Sequence, residues 1–132
     1  MILGIGIDLV DIGRINRIVD KYPVKFSCRI LSKRELREYR KILVKGIYSR
    51  EKANRFLAKR FAAKEAVSKA FGTGIGSQIS FSAIDICNDK FGKPFVKIFG
   101  LNKSHIPIGQ NNIHISITDE KHFAQAIVIL EG

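Results

Sequence analysis

The fold is decided by residues 49–72, which read SREKANRFLAKRFAAKEAVSKAFG. Apolar side chains recur through this stretch at helical spacing, which predicts one long helix from about Ser49 to Phe71. Gly72 is the expected C-cap, because glycine readily adopts the left-handed conformation that ends many helices. The apolar side chains form a single stripe, so we expect this to be the central core helix. They are Ala53, Phe56, Leu57, Phe61, Ala63, Val67, Ala70 and Phe71.

Before the long helix, a strand and two shorter helices are predicted. The first ten residues are rich in β-branched side chains and indicate a buried strand with Asp8 at its end. Asp11 is suited to cap the next helix, which Pro23 closes. Residues 32–35 have a capping-box pattern that opens a short, very basic helix.

Beyond Gly72 the hydrophobic period changes from helical to strand-like. Residues 79–86 and 95–99 are predicted strands on either side of a turn-rich segment. Isoleucines alternate with polar residues over 113–118, and a last strand is predicted from Phe123 to Leu130. One strand, then helices, then hairpin strands is an α+β order, so we predict a single α+β domain over residues 1–132.

Several classes of protein are disfavoured by the sequence. No run approaches the roughly 18 consecutive apolar residues of a membrane span. Residues 1–6 lack the basic region and cleavage site of a secretory signal. Cys28 and Cys87 lie far apart and outside metal-ligand spacing, which argues against a disulfide framework or a zinc site. We therefore expect a reduced, cytoplasmic protein with no membrane partner.

The chain is strongly basic, with a formal net charge of +11. Residues 14–69 hold 18 Lys/Arg and 5 Asp/Glu, whereas the rest of the chain holds 5 and 7. This segment predicts an acidic partner or a phosphate-bearing ligand, and Arg14, Arg17 and Lys21 share the exposed face of its first helix. An alternative stays open: 21 Ile against 8 Leu, and 14 Lys against 9 Arg, are typical of an AT-rich genome. In that case part of the lysine excess has no function.

Asp8 and Glu65 are the acidic residues whose positions suggest chemistry. Taken singly, Asp8 or Asp11 simply caps the first helix, and Glu65 is a solvated flank residue that pairs with Lys69 one turn later. If the long helix packs on the first strand, however, the two carboxylates meet. Together with waters and phosphate oxygens of a substrate, two carboxylates are a usual way to hold Mg²⁺.

Cations and glycines on or after the long helix point toward a phosphate ligand. Arg60, Lys64 and Lys69 suit a polyphosphate. The loop that contains Gly72 and Gly74 would let backbone approach a nucleotide, although an extended C-cap and turn explain it as well. The histidines match no metal-ligand spacing and are interpreted as structural or surface residues; they are His105, His114 and His122.

Two long motifs resemble the signatures of the holo-[acyl-carrier-protein] synthases, the short 4'-phosphopantetheinyl transferases. GIGIDLVDIGRI at residues 4–15 resembles their opening signature, and RFAAKEAVSKAFGTGI at residues 60–75 resembles their second. The likeness continues through residues 92–94 and 113–118, with Ala124 and Ala126 beyond, so it covers essentially the whole chain. Two long motifs in the right order and at the right separation are highly specific.

The resemblance implies a long core helix packed on an antiparallel sheet, in a homotrimer with active sites between subunits. It implies transfer of the 4'-phosphopantetheine arm from coenzyme A to a serine of an acyl carrier protein, with release of adenosine 3',5'-bisphosphate. It also implies Mg²⁺ on Asp8 and Glu65. One departure stands out, because many members have a histidine where this chain reads Thr118-Asp119.

The remaining site residues receive their predicted roles within this reaction. Lys69 contacts phosphates or relays the serine proton, with a metal-bound water as an equal candidate for the relay. The nucleotide is contacted by Arg60 and Lys64 at its phosphates and by the loop of Gly72 and Gly74 alongside. Acyl carrier proteins are acidic, so the first helix is expected to dock the carrier through Arg14, Arg17 and Lys21.

Two other classes of function compete with this interpretation. A nucleic-acid-binding module would use the same basic segment, but Tyr22, Tyr39 and Tyr48 form no obvious stacking platform, and no zinc-finger or RNP motif is present. A purely structural basic protein leaves both long motifs unexplained. We therefore favour the transferase and expect no nucleic-acid partner.

Overall fold

The computed structural model describes residues 1–76, 79–100 and 112–132. Its elements are, in chain order, β1 (Ile2–Asp11), α1 (Ile12–Lys21), α2 (Lys25–Ile30), α3 (Lys33–Leu43), α4 (Ser49–Phe71), β2 (Ile84–Asn88), β3 (Pro94–Ile98), β4 (Ile113–Asp119) and β5 (Phe123–Glu131). A 3₁₀ turn at Phe81–Ala83 precedes β2. This order confirms the predicted α+β arrangement. His105 lies outside the described residues.

The strands form one antiparallel sheet and one separate hairpin. β5 lies at the centre of the three-stranded sheet, with β1 on one side and β4 on the other. The register places Ile7 opposite Ile127 and Asp8 opposite Ala126. β2 and β3 pair with each other. The long helix α4 packs on β1 and β5, as predicted for a core helix on an antiparallel sheet.

Local capping predictions are confirmed. The Asp11 carboxylate accepts a hydrogen bond from the backbone N–H of Gly13, at 2.8 Å, and so caps α1. Ser32 and Glu35 form a complete capping box at the start of α3. Gly72 ends α4 in the left-handed conformation, with φ +72°. The short helix α2 was not predicted, because no side chain caps its start.

The buried surface of α4 is wider than the single predicted stripe. Ala66 lies against β1, whereas Lys64, two residues earlier and about 200° around the axis, points toward α3. Ala58, Ala62 and Ala63 are completely buried as well. The helix is therefore enclosed on two sides, by the sheet on one and by the shorter helices on the other. No helix within the described residues is long and apolar enough to cross a membrane.

The prediction that β1 is buried is correct for only one of its faces. Ile5, Ile7 and Leu9 point away from α4 and are 58%, 51% and 59% exposed. Phe123 and Ile127 of β5 are exposed beside them. A strand that is apolar on both faces is predicted to be fully buried, yet the described residues cover only one face. We call these five side chains the outward sheet face.

The strand predicted over residues 79–86 begins only at Ile84. Its first part turns instead, with the N–H of Ala83 donating to the carbonyl of Ser80 at 3.2 Å. The ring of Phe81 stacks on Phe61 of α4, with ring centroids 5.6 Å apart. Packing against the long helix therefore overrides the alternating pattern.

Candidate active site

Two glycines let β1 lie directly on the backbone of α4. Gly4 and Gly6 alternate on the strand face that meets the helix, at the carbonyl groups of Ala70 and Ala66. A Cβ atom at either position would overlap those carbonyls, so no other residue allows this approach. Asp8 is the next residue on the same face. The glycines therefore place its carboxylate against the helix surface.

Lys69 of α4 closes the contact with the strand. Its Nζ donates to Oδ1 of Asp8 and to the backbone carbonyl of Ile7, both at 2.9 Å. The side chain of Asp8 is 15% exposed and that of Lys69 is 52% exposed. The pair thus lies at the edge of the strand–helix seam, where solvent and a ligand have access.

Glu65 lies one helical turn before Lys69 and belongs to the same cluster. Burial raises the pKa of Glu65, and the neighbouring Asp8 carboxylate raises it further. The positive charges of Lys69 and Arg14 act in the opposite direction. The long helix therefore packs on the first strand, as the meeting of the two carboxylates required. Asp8, Glu65 and Lys69 come together at this contact. Their catalytic roles remain predictions.

The donor set suits a hard divalent cation that keeps other oxygen ligands. Asp8 and Glu65 supply two carboxylates that repel each other, and a bound cation would offset this repulsion. Within the described residues no group of three or more His, Cys, Asp or Glu side chains could hold a metal. A cation here would need waters or ligand oxygens to complete its shell, as Mg²⁺ commonly does.

The glycine-rich loop starts at the same end of α4. The N–H of Gly72 donates to the carbonyl of Lys69 at 3.1 Å, which fixes where the loop leaves the helix. Gly72 and Gly74 have φ values of +72° and +67°, which other residues rarely adopt. The C-cap role of Gly72 is thus confirmed, and contact of the loop with a nucleotide remains a prediction.

The exposed face of α1 borders this cluster. Arg14, Arg17 and Lys21 are all exposed. Arg14 is close enough to affect the charge state of Glu65. The predicted docking face therefore begins beside the carboxylates.

Lys64 does not reach a ligand, which corrects its predicted role. Its side chain has no exposed surface, and its Nζ donates to the Glu35 carboxylate at 2.5 Å. It also donates to the carbonyls of Ile30, at 2.7 Å, and Phe81, at 2.9 Å. Burial lowers the pKa of Lys64, and the charge of Glu35 opposes that shift. Lys64 ties α4 to α2, α3 and the 3₁₀ turn, so the prediction of a phosphate contact is wrong.

Arg60 is enclosed in the same region and is corrected in the same way. Its side chain is 8% exposed, and its Nη2 donates to the side chain of Asn88 at 3.2 Å. The guanidinium lies 4.5 Å from the ring centroid of Phe56 and 3.6 Å from Glu35. These contacts are internal, so we no longer assign Arg60 to nucleotide phosphates.

Comparison with known proteins decides the family. The model of the 4'-phosphopantetheinyl transferase superfamily matches residues 4–126. The chain belongs to this superfamily. Holo-[acyl-carrier-protein] synthases are its relatives: that of Vibrio campbellii is 42% identical over 132 residues, covering 99% of this chain and 98% of the relative. That of Blochmanniella pennsylvanica is 45% identical over 136 residues, covering 99% of both.

Solved structures of holo-[acyl-carrier-protein] synthases share the fold. The enzyme from Neisseria meningitidis is 37% identical, with a TM-score of 0.85 and full coverage of both chains. The enzyme from Bacillus anthracis, solved in complex with coenzyme A (3',5'-ADP), is 40% identical, with a TM-score of 0.79 and coverage of 99% and 97%. The chain is thus an enzyme, a transferase of this superfamily.

At Thr118-Asp119, where the family resemblance implies a histidine in many members, this transferase has a carboxylate that is held by cations. Asp119 accepts a hydrogen bond from Nη1 of Arg55 at 3.0 Å, and Nζ of Lys59 lies 4.0 Å away. A carboxylate held by two cations of α4 cannot donate a proton as imidazole does. No role of that histidine is carried over to Asp119.

Sequence reasoning about this transferase missed the second role of Glu35. The capping box identified Glu35 as a helix cap, and its Oε1 does accept from the backbone N–H of Ser32 at 2.8 Å. Its Oε2 accepts from the N–H of Ile86 at 3.0 Å, and the carboxylate also holds Lys64. Since Glu35 and Lys64 lie 29 residues apart, no local pattern signals this contact.

Proposed function

We propose that the chain transfers the 4'-phosphopantetheine arm of coenzyme A to a serine hydroxyl of an apo acyl carrier protein. The observation that carries this proposal is the meeting of Asp8, Glu65 and Lys69 where the glycine-rich loop leaves α4. The family supports it, because synthases of the same fold have been solved with coenzyme A. The cytoplasm, where coenzyme A and carriers are available, is the proposed location.

In the proposed reaction the serine oxygen attacks the phosphorus atom that carries the pantetheine arm. A new oxygen–phosphorus bond forms, and the bond from that phosphorus to the bridging pyrophosphate oxygen breaks. The bridging oxygen leaves with adenosine 3',5'-bisphosphate, and the serine proton passes to a solvent water. Such transfers depend mainly on positioning and on the stabilisation of charge, so a small set of side chains suffices.

Asp8 and Glu65 are proposed to hold Mg²⁺, which when bound would offset negative charge on the pyrophosphate oxygens. Glu65 has to be ionised for this role. Lys69 acts as a cation rather than as a base, because its Nζ already donates to Asp8 and to the carbonyl of Ile7. It keeps Asp8 oriented and brings positive charge to the phosphates.

The acidic carrier is proposed to dock on α1, through Arg14, Arg17 and Lys21. These exposed cations start beside Glu65, so a carrier bound there would present its serine close to the carboxylates. A surface of this kind acts mainly by steering association and is screened by salt.

We further propose that three copies assemble through the outward sheet face. Ile5, Ile7 and Leu9 expose more than half of their surface beside apolar residues of β5, which is unusual for a strand surface that stays in water. Closed symmetric assembly would bury this face. The active sites would then lie between subunits, at the edge of β1 where Asp8 ends the seam.

The test is release of adenosine 3',5'-bisphosphate from coenzyme A in the presence of an apo acyl carrier protein. We expect one nucleotide per carrier, and none with a carrier whose acceptor serine is replaced by alanine. A chelator should stop the reaction, and added Mg²⁺ should restore it. Nucleotide release that does not need the acceptor serine would show hydrolysis of coenzyme A instead and would contradict the proposal.

A further inference from the structure

The turn between α3 and α4 exposes a compact set of apolar side chains. Val44, Ile47 and Tyr48 are 82%, 94% and 66% exposed, and Leu43 beside them is 38% exposed. We call these four residues the α3–α4 tip. Single exposed apolar residues are ordinary on a protein surface, but four within six positions form a patch that needs an explanation.

The tip is held in this arrangement by its own backbone. The N–H of Lys45 donates to the carbonyl of Ile42 at 3.2 Å, and Ile42 packs on the core. Gly46, with φ +82°, reverses the chain in a conformation that other residues rarely adopt. The carbonyl of Tyr48 accepts from Lys52 at 3.1 Å as α4 begins. Because both ends are tied, the tip presents its apolar side chains to solvent in a fixed loop.

Exposed cations flank the tip along the chain. Six exposed Lys and Arg side chains lie between residues 37 and 52, against two acidic residues, Glu38 and Glu51. Glu38 forms an ion pair with Arg34 of the same helix, at 2.7 Å, which reduces the effect of its negative charge on the positive potential near the tip. The cations are Arg37, Arg40, Lys41, Lys45, Arg50 and Lys52; we call them the basic ring. Of these, Arg50 forms an ion pair with Asp20.

The tip and the basic ring are remote from the candidate active site. From Tyr48 to Glu65 the axis of α4 rises about 25 Å. The helix α3 that leads to the tip lies across α4 from the sheet, since Lys64 reaches Glu35 of α3 while Ala66 faces β1. The patch is therefore separate from the outward sheet face and from the carboxylate cluster, and it meets the end of α1 where Arg50 pairs with Asp20.

We propose that the α3–α4 tip and the basic ring form a docking surface for the anionic face of a phospholipid bilayer. Apolar side chains ringed by lysine and arginine match an interface in which lipid phosphates lie just above the acyl region. Nucleic acid would require the cations alone and would leave Val44 and Ile47 in water. Contact of this type needs no membrane-spanning helix, and it would replace the expectation of no membrane partner, which rested on the lack of a spanning segment in the sequence.

The chain contains no tryptophan, so one introduced tryptophan reports on its own surroundings. The full-length Ile47→Trp variant is mixed with vesicles of phosphatidylcholine, with or without about one-third phosphatidylglycerol. We expect a blue shift of its emission with the anionic vesicles only. The matched control is Phe91→Trp, since Phe91 is 84% exposed in the β2–β3 turn beside Lys90. Its emission should not shift.

Co-sedimentation with the same vesicles then separates the contribution of the basic ring from that of the apolar side chains of the tip. Replacing two cations, as Lys41→Gln with Lys45→Gln, should weaken binding about 25-fold, at about 1 kcal/mol for each cation. Val44→Ser with Ile47→Ser should weaken it about tenfold or more, whereas Phe91→Ser should have no effect. Transfer to a carrier in solution should be unchanged in all these variants, so failure of this inference is distinguishable from failure of the proposed function.

Three results would overturn the proposal. The first is vesicle binding by the double serine variant that equals that of the parent chain. The second is an unshifted Ile47→Trp emission while the protein co-sediments, which would place contact elsewhere. The third is no vesicle binding together with weaker carrier or nucleic-acid binding by the same variants, which would make the patch a site for that partner.

Discussion

At the scale of single residues, Asp8 and Glu65 place two carboxylates in one partly buried seam, and this arrangement opposes stability. The folded-state pKa of Glu65 is raised, first by burial and then by Asp8. Below the ordinary pKa of Glu65, near pH 4, the carboxyl is protonated in the folded and unfolded states and costs no stability. As pH rises through the raised pKa, its ionisation in the folded protein lowers the free energy of unfolding. Without metal, Glu65→Gln should raise the melting temperature at pH 7, with no difference near pH 4. The same variant should lose transfer activity. Thermal unfolding in a chelating buffer checks this, and a lower melting temperature at pH 7 would contradict it.

At the scale of elements, the approach of β1 to α4 depends on glycine. Gly6→Ala would place a Cβ against the carbonyl of Ala66, so the strand must move away from the helix. We expect a loss of about 1–3 kcal/mol in the free energy of unfolding, and a larger loss of activity because Asp8 leaves Lys69. Gly13→Ala in α1 is the control, since its Cβ would meet only side-chain atoms, mainly those of the capping Asp11, and no backbone. Urea unfolding with steady-state kinetics gives both quantities. Equal effects of the two substitutions would refute the role of Gly6.

The cations of α1 face solvent, so their effect on carrier binding can be tested separately. Arg17→Glu and Lys21→Glu should each raise the KM for carrier protein about five- to tenfold and leave the KM for coenzyme A unchanged. The dependence of the carrier KM on salt should weaken at the same time. Lys90→Glu, in the β2–β3 turn, is the matched control. If both KM values rise together, α1 is not a dedicated docking surface; if nucleic-acid binding falls and transfer does not, the competing class of function is favoured.

Elements with strong local signals were predictable from the sequence. The bounds of α4, the Gly72 cap and the capping box at Ser32 follow from spacing and backbone preference alone, and the structure confirms them. Long-range burial was not predictable in this way. Lys64 reads as a solvated cation until α3 and the 3₁₀ turn enclose it. In the candidate site, the meeting of Asp8 with Glu65 was conditional on strand–helix packing, which the two glycines then allow. Lys69, which spacing alone paired with Glu65, donates instead to Asp8.

At the scale of the whole molecule, the outward sheet face predicts assembly. A trimer of the 14.8 kDa chain should have a mass of about 44 kDa by light scattering. Ile5→Glu, at a position 58% exposed in the single chain, should give monomers with little activity. Phe91→Glu, at an exposed position outside that face, should remain trimeric. A fully active monomer of the parent chain would contradict the proposed assembly.

The central claim is that this chain loads acyl carrier proteins, and the intact mass of the carrier tests it most directly. An apo acyl carrier protein is incubated with coenzyme A, Mg²⁺ and the purified chain, and in parallel with the Asp8→Asn variant. We expect the carrier to gain the mass of one 4'-phosphopantetheine group with the parent chain and to keep its original mass with the variant. No mass gain with the parent chain, under conditions in which a known synthase loads the same carrier, would contradict the account.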